Sequence, residues 1–249
     1  YVRDGGQSFT QTGGVSAIGA GTWDALWLTA QSNIKPGPVN IYVSAALLTG
    51  TSEPANPTIA NPELDLSGFA GHIDVSGNIS RVKVGGVIGM GTGDDNTTDD
   101  QLETFFAPGG ASYIQSHIFW QAGENTYSND FLNRGNLNLQ NGSSQTLSNT
   151  TWAGLYADFK ATPDLTLGGK IATFMKTEAL TNTDDSIGNE IDLTANYTIH
   201  KNLSLLAFAA WFMPDDGITK GATTCVSGTF PNCKDDTVAE YFARLQWQF

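Results

Sequence analysis

The chain has 249 residues, room for one large domain or two small ones with a sizeable core. Its 12 Lys and Arg against 25 Asp and Glu give a formal charge of −13, which argues against a nucleic-acid partner, whose phosphates require a basic face. Charged residues make up only 15%, against roughly 25% in an ordinary soluble domain, and aromatic residues at 10% with apolar positions throughout argue against disorder.

The longest unbroken apolar run, Leu205 to Met213, is nine residues, and a spanning helix needs roughly 20. The chain opens at Tyr1 without a Met, a basic n-region or an apolar h-region, so any export signal is expected to have been removed or to lie outside this sequence. What recurs instead is alternation with period two. Strands are predicted at Thr22 to Ser32 and Val39 to Leu48, with the turn KPGP (Lys35 to Pro38) between them, and at Ser67 to Gly77. In Arg81 to Met90, Val82, Val84, Ile88 and Met90 oppose Arg81, Lys83 and two glycines. Tyr113 to Gln121 and the weakly alternating Phe131 to Gln140 are the next two crossings. Thr151 to Lys160 sets Ala153, Leu155, Ala157 and Phe159 against Trp152, Tyr156, Asp158 and Lys160. The turn TPD leads into Leu165 to Lys176.

Glu190 to Ile199 is the clearest strand. Ile191, Leu193, Ala195, Tyr197 and Ile199 share one face, and Glu190, Asp192, Thr194, Asn196 and Thr198 the other. A helix would scatter these two sets around its circumference. HKN turns the chain into Leu203 to Phe212. In the last segment, TVAEYFARLQWQF, Tyr241, Ala243, Leu245, Trp247 and Phe249 oppose Glu240, Arg244, Gln246 and Gln248. The connections alternate: short turns near Lys35, Asn78, Pro163 and Lys201, long polar loops at 50–66, 91–111, 178–187 and 214–236. Short turns at one end and long loops at the other describe an outer-membrane barrel.

The expectation is therefore an all-β fold, a transmembrane antiparallel up-and-down β-barrel of about 11–12 strands, whole or part of a larger barrel. The apolar face would meet lipid and lipopolysaccharide. The polar face would line a lumen with Arg81, Lys83, Lys160, Lys170 and Arg244 facing Asp158, Glu190, Asp192 and Glu240. Trp120, Tyr197, Trp211 and Trp247 fall near strand ends, where aromatic girdles belong. No nucleophile or acid–base set accompanies His72, His117 and His200, so no enzyme is expected. In GDDNTTDDQLE five acids, Asp94, Asp95, Asp99, Asp100 and Glu103, could gather Ca²⁺, with Asp94, Asp95 and Asp99 as the expected ligands, although the glycine and glutamate of a calcium loop are missing at positions 99 and 105; a solvated outer loop is the alternative. Cys225 and Cys233 in CVSGTFPNC are expected to form a local disulfide in an oxidising compartment, with two unpaired thiols as the alternative.

The terminal strand ending in Phe249 resembles the assembly signal that the insertion machinery reads on Gram-negative outer-membrane barrels. GTGDDNTTDDQLETFFAP (91–108) and GNEIDLTANYTIHKNLSLLAFAAWFMPDDG (188–217), with that terminal Phe, resemble the C-terminal region of alginate-export-type outer-membrane porins. The resemblance covers roughly 80–249. It implies a monomeric barrel passing a polar or anionic solute, and a chain shorter than full-size members. The residues themselves leave several readings open: a small-solute porin, an exporter of an anionic polysaccharide, a structural barrel enclosing a periplasmic electron carrier, or a soluble all-β binding domain. An alginate conduit needs a strongly cationic bore, whereas the lumen cations here are offset by acids, which favours small solutes.

Overall fold

A computed structural model describes residues 2–5, 21–54, 63–96, 99–105, 149–178, 184–215 and 237–247. These form an all-β sheet: β1 (Val2–Gly5), β2 (Gly21–Ile34), β3 (Val39–Pro54), β4 (Leu64–Ile79), β5 (Val82–Gly91), β6 (Gln101–Leu102), β7 (Thr150–Lys160), β8 (Leu165–Met175), β9 (Ser186–His200), β10 (Leu203–Pro214) and β11 (Val238–Trp247). All but β6 follow one another as an antiparallel meander, β1-β2-β3-β4-β5-β7-β8-β9-β10-β11, and β6 pairs with β4. Among the described residues no helix is long and apolar enough to cross a membrane.

The tight turns match the sequence expectation and share one end of the sheet. Val39 N–H donates to Pro36 C=O at 3.4 Å in the first, and Ser80 takes a left-handed φ of 57° in the second. In the third, the Thr162 hydroxyl accepts from the N–H groups of Asp164 (3.3 Å) and Leu165 (3.0 Å), a side chain mimicking a backbone turn. Lys201 and Asn202 make the fourth. Long connections occupy the other end.

Two expectations are corrected. The predicted strands Tyr113 to Gln121 and Phe131 to Gln140 lie outside the described residues, but β5 pairs directly with β7, from Val82↔Phe159 to Gly91↔Thr150. Neither segment therefore stands between them in the sheet. Second, the strands at the loop end run further than their apolar alternation: β3 continues to Pro54, with Thr51↔Asp65 and Ser52↔Leu64 still paired to β4. The ladder is made by backbone groups, so polar side chains extend it freely once one face no longer has to be apolar. Among the described residues the sheet is open, with β1 and β11 at opposite ends of the strand order. Four residues of β1 cover only Thr22 to Ala25 of the longer β2.

Candidate functional site

Exposure separates the two faces of the sheet in the sense opposite to a soluble protein. On one face large apolar side chains stand open: Tyr241 is 68% exposed, Leu155 62%, Leu245 62% and Leu193 51%. On the other face ionisable groups are covered, with Glu190 at 1% and Asp192 at 2%. Alternation along β9 puts Ile191, Leu193, Tyr197 and Ile199 outside and Glu190 and Asp192 inside, as expected from its sequence. Since paired residues share a face, the register carries this division across the sheet.

The inner face holds its charges in adjoining layers. One layer runs Ser76–Gly85–Tyr156–Lys170–Asp192–Ala210–Glu240 through successive strand pairs. Its neighbours are Asp74 and Glu190 on the loop side and the pair Lys83↔Asp158 on the turn side. Lys170 lies within electrostatic reach of Asp192, Glu190, Asp158 and Asp74. The Tyr156 hydroxyl donates to the Asp74 carboxylate, 2.8 Å to Oδ1 and 3.1 Å to Oδ2. Lys83 Nζ stands 5.2 Å from the centroid of the same ring, a cation–π contact. Gly85 makes room for that ring, because a Cβ there would collide with it.

Of the predicted lining residues, Lys83, Asp158, Lys170, Glu190, Asp192, Glu240 and Arg244 alternate onto the inner face of their strands. The Arg244 guanidinium donates to Gln246 Oε1 at 3.2 Å. Arg81 is placed differently: it lies in the turn between β4 and β5, exposed at the rim. Lys160, the last residue of β7, keeps the inner-face alternation of Tyr156 and Asp158 but is exposed at the rim, its N–H donating to Arg81 C=O at 2.9 Å. Toward the loop end the inner face becomes apolar, with Leu48, Leu66, Ala70, Trp152, Phe174 and Phe212 in one buried cluster. The Phe174 and Phe212 rings meet edge to face at 6.5 Å.

Sequence reasoning missed the segment that covers this end. The chain after β5 does not simply project outward; β6 returns to pair in parallel with Asp65 and Leu66 of β4. Leu102, Thr104 and Phe105 are buried. A Cβ on Gly68, an inner-face position, would come within 2.8 Å of the Phe105 Cα, so the backbone crosses the inner surface there. Thr92 pins the crossing: its hydroxyl accepts from Phe69 N–H (3.0 Å) and donates to Glu103 C=O (2.6 Å), and its carbonyl accepts from Phe105 N–H (3.1 Å) and Asn149 N–H (3.0 Å). The only local signal was the apolar pair Phe105–Phe106 within an acidic loop.

In the same loop the carboxylates of Asp94, Asp95 and Glu103 lie with one oxygen each within 4.8 Å of one another. Of the expected ligands Asp99 stands outside that group, and of the five candidate acids it is Glu103 that the return of the chain through β6 brings beside Asp94 and Asp95. Burial raises the Asp94 carboxyl above its ordinary value, the Asn96 N–H opposes this, and Asp99 and Asp95 add to it. Glu103 is raised by desolvation and by Asp95, Asp94 and Asp99. With one oxygen each, three carboxylates supply half or less of the 6–8 oxygens Ca²⁺ takes. At the start of the next loop the Lys176 ammonium donates to Asp184 C=O at 3.2 Å; burial lowers its pKa while Asp184 and Asp185 oppose the shift. The expected Cys225–Cys233 disulfide, His117, Trp120 and the terminal Phe249 lie outside the described residues.

No family model and no curated protein matches the sequence. Among solved structures, Pseudomonas aeruginosa OccK5 (OpdH) aligns with 91% of this chain at 12% identity and a TM-score of 0.43. The alignment covers 54% of that protein, so the chain spans about half its length.

Proposed function

We propose that the chain builds a β-barrel of the Gram-negative outer membrane, or part of one, and acts as a passive channel for small polar solutes. The observation that carries this reading is the inversion of the sheet, apolar side chains open and carboxylates covered. In water, exposing that many large apolar groups on one face would be strongly unfavourable. In hydrocarbon it is the required arrangement, and the same medium demands that every edge be paired, so the outer edges of β1 and β11 must find partners, in each other or in further strands.

Transport rests on the inner charges. Lys83, Lys170 and Arg244 with Asp74, Asp158, Glu190, Asp192 and Glu240 give a polar passage in which size and field select the solute, with no chemical step. Because these three cations are outnumbered by five acids, a small solute fits better than a polyuronate, and export of an alginate-like polysaccharide is the second reading. Ca²⁺ on the acidic group at Asp94, bridging to lipopolysaccharide phosphates, would anchor the outer loop; chelator sensitivity of the folded barrel tests that. The main test is refolding into detergent and recording in a planar bilayer. Discrete conductance steps support the channel, and a protein that stays monodisperse without detergent and never conducts overturns it.

A further inference from the structure

The described charges are separated along the axis of the sheet. At the end of the tight turns stand Lys35, Arg81, Lys160 and Lys201, all exposed, opposed by Asp158 and Asp164. At the opposite end Asp94, Asp95, Asp99 and Asp100 follow β5, Asp184 and Asp185 precede β9, and Asp215 follows β10; among the described residues outside the strands there, Lys176 is the cation set against them. The two ends are far apart. The 15 residues of β9, at about 3.3 Å each and a tilt of roughly 40°, separate them by about 35 Å. That is several times the Debye length of about 10 Å at 0.1 M salt, so the two fields do not cancel.

We propose that this axial separation makes the channel an electrical rectifier, passing more current when the loop side is positive. The inference rests on the channel reading. Each mouth, framed by low-dielectric walls, concentrates counter-ions: cations at the acidic loop mouth, anions at the basic turn mouth. A positive loop side drives cations in through the mouth already rich in them and anions in through the other. Both carriers accumulate in the bore and conductance rises. Reversing the voltage draws each carrier away from its enriched mouth, and the bore is depleted of both. Small cations arriving from the loop side are the solutes this arrangement favours, since the acidic mouth raises their local concentration before entry.

The experiment is single-channel recording in KCl with all insertions facing one way. Sidedness is read from a Lys201→Cys variant in a Cys225→Ser/Cys233→Ser background, through labelling by a membrane-impermeant maleimide added to one chamber. At 0.1 M KCl the current ratio at opposite voltages is expected to be about twofold or more, and to approach unity at 1 M, where the Debye length is about 3 Å. Replacing Lys35, Arg81, Lys160 and Lys201 by Gln removes the basic mouth and is expected to abolish most of the asymmetry; heat-modifiable migration shows that this variant still folds. A wild-type channel that conducts symmetrically at 0.1 M, or is larger with the turn side positive, overturns the rectifier and leaves the channel standing. A refolded protein with no conductance overturns both.

Discussion

Replacing Leu193 by Lys asks which medium the open apolar face occupies. Leu193 is 51% exposed and stands midway along β9 (Ser186–His200), opposite Gly169 and Ala209 on its neighbours. It lies seven positions before His200, about 23 Å along the strand and about 18 Å of height at a tilt of roughly 40°, which is deep within a band about 25 Å tall. Neither neighbour has a polar side chain to pair with the ammonium. A Lys at that depth costs about 2–4 kcal/mol, against about 0–1 near an interface. Ile199→Lys, at the last turn-side outward position of β9, is therefore expected to cost about 1 kcal/mol or less. Equilibrium folding into phosphatidylcholine vesicles over a guanidinium titration, followed by tryptophan fluorescence, gives both numbers. A soluble sheet would accept Lys at either exposed site within about 0.5 kcal/mol. Equal and near-zero losses at the two positions would refute the membrane assignment.

Three further outcomes follow from the inner face and the loops. Lys170→Gln leaves the buried Glu190 and Asp192 without their central cation; it is expected to destabilise the fold by about 3–5 kcal/mol and, in channels that still insert, to move the reversal potential toward cation selectivity. An unchanged reversal potential would remove Lys170 from the conduction path. Gly68→Ala places a methyl 2.8 Å from the Phe105 Cα, so residues 101–105 must lift from the inner face, read as faster proteolysis within 99–105 and larger conductance. Lys176 supplies the pH dependence. Its ammonium is lowered in the folded state, chiefly by burial, so between the folded and unfolded pKa the unfolded chain binds more protons and stability rises with pH. Amide exchange around Lys176, corrected for its intrinsic rate, is expected to slow across that alkaline window, and Lys176→Met to abolish the change.

Much of this architecture was legible from residues because its causes are local. Period-two alternation is a property of a few consecutive side chains, so Glu190 to Ile199 declares its two faces without reference to any neighbour. The tight turns at Lys35–Pro38 and Thr162–Asp164 are equally local, set by proline, glycine and a hydroxyl within four residues. Strand ends were less legible: Thr49 to Ser52 extend β3 because β4 offers them backbone partners, which side-chain polarity does not report.

What alternation cannot say is which face is enclosed, since a soluble sheet and a membrane sheet share the same pattern with inside and outside exchanged. Only the assembly of many paired strands decides that, by covering Glu190 and Asp192 and leaving Leu193 and Leu245 open. The return of residues 101–105 onto β4 was likewise beyond sequence reading. It depends on Thr92 meeting Phe69, 23 positions earlier in the chain, and on the bare backbone at Gly68. Such contacts arise when strands distant in sequence are brought side by side, a long-range condition that no short window of residues encodes.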